Sequence, residues 1–87
     1  MKKQLTITLP SHCSTERLVQ FVHEANQFNS YILLHQEELQ INAKGLLGIL
    51  HLLKTSEGEK LILSAEGTDA EKALTHLSSI LMEPLDP

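Results

Sequence analysis

The chain has 87 residues, a net charge of −4, three aromatics (Phe21, Phe28 and Tyr31) and one cysteine. That size allows a single domain over 1–87 with one modest aliphatic core, and the acidic balance, with Lys2-Lys3 the only basic pair, argues against a nucleic-acid partner. The lone Cys13 excludes an intrachain disulfide framework, no apolar run reaches a membrane span, and no signal-peptide core precedes the first strand, so a small soluble cytoplasmic protein is expected.

Residues 3–9 alternate, with Leu5, Ile7 and Leu9 against Gln4, Thr6 and Thr8, a strand buried on one face and ended by Pro10. A helix follows to about Asn26, carrying Leu18, Phe21, Val22 and Ala25 at helical spacing, with Ser14 or Thr15 as its cap. Phe28-Asn-Ser30 turns the chain into a strand over Tyr31–His35. Gln36-Glu-Glu38 is a polar break short enough for a hairpin, and Leu39, Ile41 and Ala43 alternate in the returning strand. Leu46-Leu-Gly-Ile-Leu-His-Leu-Leu53 reads as a short, largely buried helix, followed by a polar loop at 54–59. Lys60–Glu66 is a fourth strand with Leu61, Leu63 and Ala65 on one face, closed by Gly67. Thr68-Asp-Ala-Glu71 has capping-box spacing, and Ala70, Ala73, Leu74, Leu77, Ile80 and Leu81 form one apolar stripe before Pro84. The order β-α-β-β-α-β-α predicts an α+β open-faced sandwich, a four-stranded antiparallel sheet with three helices on one face.

The junction between the first strand and first helix gathers Ser11, His12, Cys13, Ser14 and Thr15. A helix N-terminus carries unpaired N–H groups and partial positive charge, so it favours anions, phosphate above all. Metal binding is not expected there. Adjacent His12 and Cys13 do not easily serve one ion, and His23 lies about three helical turns further on. Cys13 reads as a passive small residue, and His35, His51 and His76 as structural or surface residues. Ser14 as a nucleophile has only His12 as a local base and no aspartate to orient it, so the cap is the preferred role and no enzyme activity or cofactor is expected. In the second helix, Leu46, Leu47, Leu50 and Leu53 cannot all face one core. Those left outside form a patch suited to a protein partner or a homodimer.

Several strings resemble the HPr family, the histidine-containing phosphocarriers of the bacterial sugar phosphotransferase system. Asn42-Ala-Lys-Gly-Leu-Leu-Gly-Ile49 resembles the family's Asn-x-Lys-Ser-x-Met-Gly-x segment. Ala65-Glu-Gly-Thr-Asp-Ala-Glu-Lys-Ala73 resembles its Ala-x-Gly-x-Asp-Glu-x-x-Ala run, and Phe28-Asn-Ser-Tyr-Ile32 resembles its link from first helix to second strand. The likeness spans essentially the whole chain and implies the HPr fold. It also implies that the family's phosphoryl-acceptor histidine falls on Ser14, its arginine on Glu16 and its helix-starting proline on Arg17. The regulatory serine of many Gram-positive members falls on Gly45. A catabolite-repression branch of the family is similar in carrying serine at the acceptor position, but it keeps the regulatory serine.

The resemblance therefore implies a non-phosphorylatable regulatory or interaction module linked to carbohydrate uptake and carbon control. Its partners would be phosphotransferase-system components or a transcriptional regulator, met through Ser14, Arg17, Leu46, Leu47 and Leu50. The alternative is an atypical phosphocarrier in sugar transport that uses His12 as acceptor and Arg17 as the neutralising cation.

Overall fold

The computed structural model describes residues 2–8, 14–55 and 60–82, the side chains of 52–55 and 82 excepted. Its elements are β1 (Lys2–Thr8), α1 (Thr15–Ala25), β2 (Tyr31–Gln36), β3 (Leu39–Asn42), α2 (Leu46–Thr55), β4 (Lys60–Glu66) and α3 (Ala70–Met82). This is the β-α-β-β-α-β-α order read from the sequence. The four strands form one antiparallel sheet in the order β1-β4-β2-β3, so the last strand in sequence lies at its centre.

Alternation decides which face is covered. The register sets Ile7 beside Leu61, Leu5 beside Leu63, Leu34 beside Leu63 and Ile32 beside Ala65. These side chains project to one face, and all but Leu5 are buried there. Against them lie Leu18, Phe21, Val22 and Ala25 of α1, Ile49 of α2, and the whole predicted stripe of α3 from Ala70 to Leu81. The opposite face is open. At its centre Ser64 is nonetheless buried, with His35 Nε2 2.9 Å from its Oγ.

The connections show how local chemistry fixes these elements. Glu37 and Glu38 form a two-residue hairpin between Gln36 and Leu39, with Glu37 at φ 53°, the left-handed value such tight hairpins need at a central position. β3 stops at Asn42 because its Oδ1 accepts the Lys44 N–H at 2.9 Å and turns the chain. Ala43, expected in the strand, lies just beyond it, although its N–H still reaches the Ile32 carbonyl at 2.8 Å. Gly48 brings α2 close to the sheet, since a Cβ there would lie 3.0 Å from Ile41 Cγ2.

α3 begins at Ala70, so Asp69 rather than Thr68 stands at its mouth. The Asp69 carboxylate accepts the N–H groups of Asn29 and Ser30 at 2.9 and 3.0 Å, together with the Ser30 hydroxyl. One side chain therefore ties the start of α3 to the start of β2. The Ser30 hydroxyl and then the Asn29 N–H hold its carboxyl below the usual carboxylate range, outweighing burial, which pushes the other way.

Candidate functional site

Ser14 is the N-cap of α1. Its backbone is extended (φ −75°, ψ 157°), its carbonyl accepts the Leu18 N–H at 3.1 Å, and its Oγ accepts the Arg17 N–H at 3.1 Å. The hydroxyl thus satisfies one of the unpaired donors at the helix start and gives the helix its first fixed turn. Glu16 stands in that first turn, exposed, where a carboxylate interacts favourably with the helix dipole. The same negative charge lowers the attraction of this N-terminus for an incoming anion. Arg17 is half-buried beside it. Ser11, His12 and Cys13 lie outside the described residues, as do Pro10 and Pro84.

Gly45 precedes α2. Its N–H donates to the Asn42 carbonyl at 3.1 Å and its carbonyl accepts the Ile49 N–H at 3.1 Å, opening the helix. A Cβ built at Gly45 would meet nothing nearer than Asn42 O at 3.6 Å, an ordinary contact. The backbone therefore accepts a side chain at this position, and glycine is not there because space demands it.

α2 departs from the reading of a largely buried helix. Ile49 enters the core and Leu50 packs against it, but Leu46 is 38% and Leu47 83% exposed. An apolar helix of ten residues has more apolar surface than one side of a small sheet can cover, and the excess lies outward at its first turn. The helix also runs to Thr55, taking in Lys54 and Thr55, which read as loop by polarity alone. The Leu53 side chain lies outside the described residues.

The two family positions are not brought together. Asn26, at the C-terminal end of α1, donates through Nδ2 to the Lys44 carbonyl at 3.3 Å, and Lys44 Nζ donates to the Phe28 carbonyl at 2.7 Å. The start of α2 is therefore anchored at the far end of α1 from Ser14. Eleven helical residues separate them, roughly 16 Å along the axis.

The histidines divide by contact. His76 Nε2 lies 2.7 Å from Glu24 Oε1 and its ring leans on Phe28, which links α3 to α1, while His35 serves Ser64. His23 and His51 are exposed on α1 and α2. Among the described residues no group of three or more His, Cys, Asp or Glu side chains is placed to hold a metal ion. Two contacts of consequence were not read from the sequence. One is the Asp69 clasp, for which an acidic residue just before a helix was the available signal. The other is the Lys44 ammonium on Phe28, which has no local signature.

A family model described as "PTS HPr component phosphorylation site" matches residues 1–83. The chain belongs to the HPr family. It is 40% identical over 82 residues to the phosphocarrier protein HPr of Buchnera aphidicola subsp. Acyrthosiphon pisum, covering 94% of this chain and 95% of that one. It is 29% identical over 83 residues to the HPr-like protein Crh of Bacillus subtilis, covering 95% and 96%. Among solved structures, the HPr of Bacillus anthracis superposes with a TM-score of 0.82 at 28% identity, over 93% of this chain and 98% of the other. The four-stranded sheet with three helices is thus the HPr fold, as the resemblance implied. No helix among the described residues is long and apolar enough to cross a membrane.

Proposed function

We propose that this HPr-family chain is a cytoplasmic, non-enzymatic regulatory or interaction module of the sugar phosphotransferase system that does not itself relay phosphate. The observation that carries the reading is Ser14. At the position the resemblance gives to the acceptor histidine stands a hydroxyl bonded to the Arg17 N–H, next to the carboxylate of Glu16 in the same helical turn. Among the described residues no base stands beside the capping serine to activate it, and Glu16 repels a phosphoryl group where the family's arginine would hold one. Gly45 has no hydroxyl for a regulatory kinase. Partners would be other phosphotransferase-system proteins or a transcriptional regulator, docking on the outward Leu46 and Leu47, half-buried Leu50 and the Ser14–Arg17 turn.

The 40% identity to a named phosphocarrier favours a second reading, in which His12 accepts phosphate with Arg17 as counter-charge. Incubation with phosphoenolpyruvate and the system's first phosphotransferase, read by intact mass at neutral pH, separates the two. No added phosphate is expected while an ordinary HPr control is labelled. A single phosphate lost on His12→Ala overturns the proposal and makes the chain a carrier. Binding to purified system components and carbon-control regulators should weaken at least tenfold in Leu47→Lys, about 1.4 kcal/mol, with the fold intact.

A further inference from the structure

α1 shows solvent a stripe that the core does not use. Glu16, Val19 and His23 are spaced so that they share one side of the helix, and all three are exposed, Val19 at 44%. The stripe runs from the start of the helix, where Ser14 caps it, to within one turn of Asn26, which holds the Lys44 carbonyl at the entry to α2. The exposed Leu46 and Leu47 follow just beyond Lys44. Apolar surface at the far end of α1 thus continues through Val19 toward a carboxylate at its start. Arg17 leaves the helix on another side. It is half-buried and turned about 100° from Glu16, toward the flank where Glu24 meets His76 of α3. The charge that the stripe itself presents at its start is that of Glu16.

Resting on the reading of this surface as a docking face for phosphotransferase-system proteins, we infer that Glu16 makes docking depend on the partner's phosphorylation state. A partner whose phosphoryl site is empty is accepted, and the same partner carrying its phosphoryl group is rejected. Phosphoryl transfer requires donor and acceptor atoms in contact. A protein built to exchange phosphate with an HPr carrier therefore brings its own phosphoryl group to the acceptor position, here Ser14, in the same helical turn as Glu16. There the dianion meets a full negative charge, against which the helix start offers roughly half a positive one. Like charges set against each other across an interface are a strong means of rejecting one form of a partner while keeping another. Val19, Leu46 and Leu47 carry no charge, so their contribution is the same in both forms. Affinity thus comes from the apolar end of the surface and selectivity from one side chain at the other end. The chain occupies the docking faces of partners that hold no phosphate and leaves the loaded ones to an ordinary carrier.

The test measures binding of the chain to the system's first phosphotransferase, once unphosphorylated and once held phosphorylated by excess phosphoenolpyruvate. A phosphotransferase variant lacking the phosphorylated side chain, given the same phosphoenolpyruvate, should bind as the empty form does. Binding to the empty form is expected to be at least tenfold tighter. That ratio should fall to within twofold in Glu16→Gln, persist in Glu16→Asp, and shrink in 1 M salt, where charges are screened beyond about 3 Å. Leu47→Lys should weaken both forms, with circular dichroism unchanged in every variant. Equal affinity for the two forms, tighter binding of the phosphorylated one, or a ratio that survives Glu16→Gln overturns the inference. Absence of binding to either form overturns it as well. All of these leave the chain without phosphate by intact mass, so the reading of a module that does not relay phosphate stands. Phosphate gained by the chain in the same mixture overturns both.

Discussion

Gly67 closes β4 at φ +152°, a backbone conformation that side chains rarely adopt, directly against Ser30. A Cβ at this position would lie 2.6 Å from Ser30 Oγ, 2.8 Å from Ser30 Cα and 3.0 Å from Ser30 Cβ. Two costs therefore meet in Gly67→Ala. Holding a non-glycine residue at that φ costs about 1–3 kcal/mol, and forcing an extra methyl into a closed space costs about 1–3 kcal/mol more. The contact with Ser30 Cα is backbone and cannot rotate away. The Ser30 hydroxyl can, but only by leaving the Asp69 carboxylate. A loss of about 3 kcal/mol is the expected outcome, which for a chain of this length lowers Tm by roughly 12–24 °C. The whole stability of an 87-residue domain is about 4–13 kcal/mol, so the variant should lie near the edge of folding at 37 °C. Thermal and urea unfolding followed by circular dichroism measure it. A double-mutant cycle with Ser30→Gly divides the cost, because that change removes Oγ and Cβ while leaving Cα and the φ in place. The pair should couple by about 1 kcal/mol or more, with the remainder of the loss persisting. A Tm within about 5 °C of the parent in Gly67→Ala, or no coupling in the cycle, would refute the reasoning.

Two further perturbations address the ends of α1 and α3. Ser14→Ala should cost about 1 kcal/mol in urea unfolding through loss of the cap, and Ser14→Asp should retain most of it, whereas equal behaviour of the two would remove the capping role. Asp69 has a folded-state carboxyl held below its unfolded value, so its stabilisation is fully present above the unfolded pKa of about 3.9 and is lost as pH falls through the lower folded value. Urea midpoints measured from acid to neutral pH should therefore fall less steeply in Asp69→Asn than in the parent across that acid limb. Parallel curves would show that the clasp is not the titrating element.

The parts of the fold that were legible in the sequence are those where burial follows a period. In β4, Leu61, Leu63 and Ala65 alternate, and in α3 the stripe from Ala70 to Leu81 repeats at helical spacing, so pattern and packing coincide residue by residue. α2 lacks that contrast. Leu46, Leu47, Ile49 and Leu50 surround its axis, so composition announces a helix without saying which side is inward, and only the sheet beneath decides. Leu5 shows a second limit. Its place in the alternation marks it for the core, but whether a strand lies at an edge or at the centre is a property of the sheet order. The junction at Ser14 was legible because capping chemistry is local. The clasp from Asp69 to Asn29 and Ser30 spans about forty residues and was not, since a carboxylate before a helix has several possible donors until the fold brings one within reach.

The residues at the positions that the resemblance singles out suit the fold as they stand, and this bears on the proposed function. Serine is among the preferred N-cap residues, and glutamate in the first turn is favoured by the helix dipole. Both residues therefore suit the start of α1. At Gly45 the backbone would accept a serine without strain, so nothing in the packing excludes the hydroxyl that a regulatory kinase needs. Other residues shape the fold: Gly67 against Ser30, Gly48 against Ile41, and Lys44 on the Phe28 carbonyl. A carrier must hold a dianionic phosphoryl group at the α1 start, which calls for positive charge there, whereas the helix dipole at an N-terminus favours negative charge. Glu16 is negative, and it satisfies the helix while opposing the phosphate. Under the proposed function that turn serves to begin a helix, and the exposed Leu46 and Leu47 of α2 are the surface through which the chain would act.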